Sequence, residues 1–280
     1  MSAENERTHR YDAEAVVLSG QLDLPVSQKI EPQAHSQLPE KGGYFNQRSD
    51  SFRIETVLSF SAAYSHVSGS KSLKPGRGWD TLTTTVVEGL NVMEVLTADR
   101  VVGQTITEHP LVGHVPTISF LGTRFENLRI AGYPVELEFD HNIFGPKPAD
   151  DAPYTHDAGF ISRVARQYDR IGSSKDLPAE LLERYNRLSP TLGNSEAVEC
   201  SLVNRAPGFY PGVSFGHIIR VPGFGIITLA KLTVKHESPH ERTKVPRKTT
   251  FTLTMIDLQL GCPTSGHVPV GNGGSNGETG

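Results

Sequence analysis

A repeated two-residue alternation of apolar and polar side chains limits this chain more than any other feature. Its cleanest stretch runs from Phe52 to Tyr64. Phe52, Ile54, Leu58, Phe60, Ala62 and Tyr64 share one parity, and Arg53, Glu55, Ser59, Ser61 and Ser65 share the other. Successive side chains of an extended strand point to opposite faces, so such a stretch buries one side and wets the other. Val135, Leu137 and Phe139 alternate in the same way with Glu136, Glu138 and Asp140. The pattern predicts antiparallel sheets with one covered face.

Composition narrows the class. A chain of 280 residues, 21% charged and 36% hydrophobic, buries a substantial core in one large β domain or two smaller ones. Its 27 glycines and 19 prolines suit many strands joined by turns. A net charge of −4 leaves no global electrostatic footprint for nucleic acid or an anionic membrane. No apolar run is long enough for a membrane span. The start, MSAENERTHRYD, has no apolar h-region. The chain as given therefore reads as cytoplasmic, and a cell-surface or secreted address requires a removed leader. Cys200 and Cys262 are too few for a disulfide framework and lack the spacing of a metal knuckle. Two free thiols and one disulfide both remain open.

Along the chain, strands are predicted at Ala15–Leu24, Phe52–Val67, Leu82–Val87, Leu90–Leu96 and Val101–Thr107, with Glu88-Gly89 as a turn and a polar connection up to Asp50. Val115–Phe139 reads as a hairpin turning at Ala131-Gly132, with a phase slip at Asn127 of the kind a β-bulge produces. Between His141 and Asn194 the period changes. Phe160, Ile161, Val164 and Tyr168 have helical spacing, as do Leu177, Leu181, Leu182, Tyr185 and Leu188, with Asp176 as the expected N-cap. Strands resume near Val198, turn at Pro222-Gly223, and end with Thr249–Leu260, where a second slip falls near Met255. The expected fold is mainly β: an antiparallel β-sandwich or barrel-like domain over 13–262 with a helical insertion at about 141–195. A mobile tail is expected at 1–12 and a flexible glycine-rich tail at 263–280.

Few motifs offer chemistry. Gly212-Val213-Ser214-Phe215-Gly216 has the G-x-S-x-G pattern, and Asp257 and His267 follow in triad order. The approach, RAPGFYP, is not a strand, and Pro222 stops any following helix, so the elbow context is missing. Glu136, Glu138 and Asp140 line one strand face, and Asp150 and Asp151 follow in an acidic loop. Oxygen-rich clusters suit a hard cation, which makes these five residues the candidate calcium ligands. Carboxylates about 7 Å apart also suit glycoside hydrolysis, although a solvated face is the simpler reading. His236 and His240 lie four apart, but Pro239 between them places them in a loop. His109 and His114 bracket a PLVG turn without a third ligand. The basic loop of Lys235, Arg242, Lys244, Arg247 and Lys248 lacks the interleaved aromatics of a base-stacking surface. Trp79 reads as a plug over one end of the core.

The strand Ala15–Pro25 (AVVLSGQLDLP), the segment TTTVVEGLNVMEVLTADRV, then VPGFGIITL and TFTLTMIDLQL occur in an order that resembles the bacterial choice-of-anchor β-rich surface proteins. The resemblance spans about two-thirds of the chain, outside the helical insertion. It implies a β-rich fold and names no activity. The chain departs from it in showing neither export signal nor C-terminal anchor. The leading functional expectation is a non-catalytic binding or structural domain whose ligand is a partner protein or a carbohydrate. The alternatives are a hydrolase using residues 136–140 or the Ser214 loop, and a calcium-stabilised interaction domain.

Overall fold

The computed structural model of the protein describes residues 8–24, 27–74, 76–237, 248–261 and 264–279. In chain order its first strands are β1 (His9–Leu24), β2 (Gln28–Gln37), β3 (Gly43–Ser49), β4 (Phe52–Ile54), β5 (Leu58–Phe60), β6 (Ala62–Lys71), β7 (Arg77–Val92) and β8 (Leu96–Pro110). Five short strands follow: β9 (Thr117–Ser119), β10 (Arg124–Glu126), β11 (Arg129–Ile130), β12 (Tyr133–Pro134) and β13 (Glu138–Phe139). After helices α1 (Ala158–Gly172) and α2 (Ala179–Leu188) come β14 (Ala197–Ser201), β15 (Val203–Arg205), β16 (Val213–Phe215), β17 (Ile218–Val221), β18 (Gly225–Glu237), β19 (Lys248–Leu260) and β20 (Ser265–Thr279).

These strands build two antiparallel sheets. The first runs β16-β17-β18-β19-β20-β1-β2, with β14 also on β18. The second is centred on β7 and β8, flanked by β6 with β3, by β5 with β4, and by β9, β10 and β11 with β12. The mainly β sandwich with a helical insertion is the fold the alternation predicts. A small third pair, β13 with β15, leads into and out of the insertion.

Each sheet is crossed by one row where the alternation reverses without an inserted residue. In the first sheet, register aligns Ala34, Val17, Gly271, Met255 and Ala230. Every second strand of this row has left-handed backbone: Ala34 at φ +45°, Gly271 at +67° and Ala230 at +44°. Pairs of consecutive residues then both face inward: Val17-Leu18, Val270-Gly271, Met255-Ile256 and Leu229-Ala230 are all buried. In the second sheet the row is Ser61, Gly89, Asp99 and Asn127, with Gly89 at φ +61° and Asn127 at +52°. There the doubled residues turn outward, as at Asp99-Arg100 and Glu126-Asn127. The slips at Asn127 and Met255 are therefore not bulges, because the offset between paired strands is the same on both sides of each.

The rows change the lining of the interior along β20, β7 and β8, while Leu232, Val234, Phe251 and Leu253 carry the apolar core across them in β18 and β19. On one side lies a large aliphatic and aromatic core that includes Phe215, Phe224, Ile227, Leu229 and Leu258. On the other, buried Thr81, Thr83, Thr85, Thr105 and Thr107 of β7 and β8 face the glycines of β20. A methyl group at Gly273 would lie 3.1 Å from Thr83 Oγ1, and one at Gly103 would lie 2.8 Å from Thr85 Oγ1 and from Met255 Cγ. Small residues let the sheets close onto each other here. A second apolar cluster, Tyr11, Ala13, Ala15, Leu38, Val67 and Trp79, closes the far end. Trp79 stacks on His9 with ring centroids 5.0 Å apart.

The insertion covers the side of the sandwich beside β14 and β18. Asp157 caps α1 by accepting from Phe160 N at 2.6 Å. Phe160, Val164, Gln167, Tyr168 and Ile171 form the buried face of α1, spaced at helical period. Gln167 bonds Ser201 twice, donating to its carbonyl at 2.8 Å and accepting from its N–H at 2.9 Å. Phe144 stacks on Phe160 at 4.7 Å and meets Phe251 edge-on at 5.8 Å, which pins the insertion to β19.

Several expectations are corrected. The glycine-rich end is no flexible tail: β20 lies inside the first sheet between β19 and β1, with glycine where the second sheet approaches. Glu88-Gly89 lies within β7, and the turn falls at Met93-Glu94. The connection before Asp50 contains β2 and β3, and β1 begins at His9 within the expected tail. Phe52–Val67 is three strands, because Ile54 pairs Leu58 across a tight turn that keeps both on one face. Past Ser61 the phase changes, so Ser65 is buried while Tyr64 is half-exposed. Asp176 has φ +60°, and Pro178 takes the N-cap of α2.

Candidate functional site: a row of turns

Three hairpin turns lie side by side at one end of the second sheet. They join β4 to β5, β7 to β8 and β11 to β12. Val57 N donates to Ile54 O at 3.0 Å, and Val95 N donates to Val92 O at 3.0 Å. Backbone bonds lace neighbouring turns together: Met93 N to Val57 O at 2.9 Å, and Ala131 N to Val95 O at 2.6 Å. Each turn carries left-handed non-glycine residues, namely Glu55 at φ +43°, Met93 at +53°, Glu94 at +56° and Ala131 at +48°. Such backbone costs on the order of 1–2 kcal/mol per residue and persists only where the surroundings hold it.

The first two turns, with Thr264 ahead of β20, enclose a pocket of about 490 Å³. This volume falls in the range of small-ligand sites. Val57 is buried and Met93 half-buried, and together they give the pocket an apolar patch. Around it stand Arg53, Glu55, Ser59, Asn91 and Glu94. Asn91 Oδ1 accepts from Glu94 N at 2.8 Å, and Arg53 Nε donates to Glu55 O at 2.6 Å, so the side chains brace the turns they line. The result is a rigid rim of hydrogen-bond donors and acceptors around an apolar patch.

A second polar concentration lies where α2 meets the first sheet. Asp257 accepts from Lys231 Nζ at 2.6 Å and pairs with His267 Nε2 at 2.5 Å. Burial alone would raise the Asp257 carboxyl, but Lys231 and then His267 hold it below the usual carboxylate range. Arg184 pairs with Glu199, and Tyr185 faces His217 at 3.5 Å. Burial, with Arg184 and Lys231 nearby, lowers His217 to about 3. Cys200 is a free, buried thiol whose burial pushes its pKa up, the opposite of an activated nucleophile. The cavity among these groups is only about 10 Å³, the space of about one water.

The residues singled out from sequence are dispersed. Glu136 and Glu138 are exposed, and only Glu138 lies in β13. Asp140 Oδ1 accepts from Asn142 N at 3.0 Å. Asp151 staples a loop by accepting from the N–H groups of His114 and Val115, each at 2.8 Å to Oδ1. The side chain of Asp150 lies outside the described residues, as do His240, Arg242, Lys244, Arg247 and Cys262. Among the described residues no group of three or more His, Cys, Asp and Glu is placed to hold a metal ion. Ser214 lies within β16 and donates to Gly216 O at 3.2 Å. Two strands separate it from β19, so it lies about 14 Å from the Asp257 strand. Asp257 and His267 do meet, but without that serine. His109 is buried inside the sandwich, and His236 Nδ1 meets Thr249 Oγ1 at 2.9 Å. No helix among the described residues is long and apolar enough to cross a membrane.

The turn-row residues are hidden in the sequence because Glu55, Met93 and Glu94 are not the residues that advertise left-handed turns. Ala131-Gly132, read as a turn from the sequence, is the legible member of the row, and the Asn91 side chain caps the Met93-Glu94 turn.

Two antiparallel sheets, a helical insertion along one side and a laced row of turns define a mainly β sandwich. Residues 9–235 match the family model described as a domain of unknown function, DUF8256, and the chain belongs to that family. The match ends inside β18, so β19 and β20 complete the first sheet from beyond it. No curated protein and no solved structure matches the chain.

Proposed function

We propose that the protein is a non-catalytic binding domain whose turn row takes a saccharide unit. The pocket of about 490 Å³ carries this reading. A pyranose has one apolar C–H face and a ring of hydroxyls that both donate and accept. Val57 and Met93 suit the face, while Glu55, Glu94, Asn91, Ser59 and Arg53 suit the hydroxyls. The left-handed turns fix these groups before any ligand arrives, which limits the ordering cost of binding.

Thermal shift against a panel of soluble mono- and oligosaccharides tests the reading. A saturable rise in Tm with one saccharide is the expected result, by mass action on the folded state. Glu94→Ala should reduce that affinity at least about tenfold, the lower end for loss of one hydrogen bond to a charged group. A flat response across the panel, or an unchanged affinity in Glu94→Ala, overturns it.

A further inference from the structure

The glycines of β20 differ in why they are there. Gly271 has left-handed backbone, at φ +67°. A methyl group at Gly266 would lie 2.4 Å from Gln21 O, one at Gly273 3.1 Å from Thr83 Oγ1, and one at Gly277 2.5 Å from the His9 ring. Gly274 has neither reason. Its backbone is not left-handed, and a methyl group there would meet nothing closer than 3.9 Å. Glycine inside a strand weakens it and often marks a bulge, a bend or close approach by a ligand or another backbone; the register of β20 is unbroken at Gly274 on both sides.

Gly274 is the floor of a groove of about 270 Å³ on the outer face of the first sheet. Register places Glu14 and Thr252 beside it. Asp12, Asn276 and Thr250 form the next row at one end, and Val16, Asn272 and Thr254 the row at the other. Asn276 is 9% exposed and lines the groove. Its Nδ2 donates to Thr250 Oγ1 at 3.2 Å, while its Oδ1 has no partner among the described residues. That oxygen is itself shielded from the groove, so a donor reaches it only when the side chain turns outward. Lys248 donates to Asp12 at 3.0 Å, and Glu14 lies 2.7 Å from His35, so the charges at the rim already have partners. The groove thus asks for a neutral ligand whose hydroxyls exchange hydrogen bonds with those of Thr250 and Thr252. Asn272 to Asn276 spans about 13 Å.

The geometry points to a second saccharide site on this sheet face, kept open by the absence of a side chain at Gly274. It shares its ligand class with the turn-row reading and stands on different residues. Its length fits a short oligosaccharide laid along β20, with C–H faces on the bare Gly274 backbone and Val16.

Calorimetric titration of the full chain with cello-, malto-, manno- and chitohexaose tests it, using wild type, Gly274→Val, Gly274→Ala and Glu94→Ala. Gly274→Val places its Cβ no closer than 3.9 Å to any neighbour and adds bulk to the groove floor, so its Tm should stay at or above that of wild type while affinity falls at least about tenfold. Gly274→Ala should show a smaller loss and decides the matter if the valine variant does not fold. Absence of binding by all four sugars overturns the inference, as does unchanged affinity when Gly274 is substituted. Loss in Glu94→Ala alone rejects the groove and keeps the turn row. Loss in the Gly274 variants alone does the reverse.

Discussion

The two halves of the interior fill space in opposite ways. Around Phe215 and Phe224 large buried side chains fill the space between the elements. Around Thr83 and Thr85 the second sheet settles onto glycine backbone. The first half owes its stability to buried area, about 25 cal/mol per Å². The second owes it to close approach, and it leaves the hydroxyls of Thr81, Thr83, Thr85 and Thr105 without partners among the described residues. A chain can use both solutions because the reversal rows change which residues face inward partway along each long strand.

The largest expected effect breaks the first half. Phe215→Ala, at a fully buried site, should cost about 3–5 kcal/mol in urea unfolding. A cost below about 1 kcal/mol would mean that this half is not packed around its large side chains.

Acid compares the halves directly, because each holds a buried histidine whose pKa is strongly lowered. Burial, then His9 and Lys147, lowers His109 to about 3 in the hydroxyl-lined half. His217 is lowered to about 3 beneath α2. The unfolded chain takes up these protons below pH 6.5, whereas the folded chain does so only near pH 3. Stability attributable to each is therefore intact above 6.5 and falls as pH drops towards 3, by on the order of 1.4 kcal/mol per pH unit per histidine. His109→Gln and His217→Gln should each remove about half of that slope between pH 6 and 4.5. A slope that neither variant changes would place the acid sensitivity elsewhere.

The smallest effect is an enlargement. Gly103→Val pushes side chain against Met255 and Thr85 and should cost about 1–3 kcal/mol, although valine is the better strand former. A stabilised Gly103→Val would show that the sheets are not in close contact there.

Much of this architecture is legible in the sequence. Alternation marks the sheets, and the change of period marks the insertion, whose helices fall where Phe160 to Tyr168 and Leu181 to Leu188 place them. Parity alone misreads Phe52–Val67, because a tight hairpin keeps Ile54 and Leu58 on the same face as a straight strand would. Local slips at Asn127 and Met255 are visible, but that each belongs to a row running across its sheet depends on pairings far apart in sequence. The glycine-rich end misleads for the same reason: its composition is that of a linker, and only the threonines of β7 and β8, more than 150 positions earlier, give those glycines a packing role. The candidate pocket is the least legible part, since its turns use glutamate and methionine where asparagine and glycine would announce them.

The place of β20 between β1 and β19 also sets a schedule for synthesis. One edge of β1, made before every other described strand, has no antiparallel neighbour until residues 265–279 have been made. At about 5–20 residues per second that wait lasts roughly 10–50 s. During it the nascent chain carries a long open edge, the kind that pairs with strangers. Completion of the first sheet is thus an event of release, and the risk of misassembly is concentrated in the interval before it.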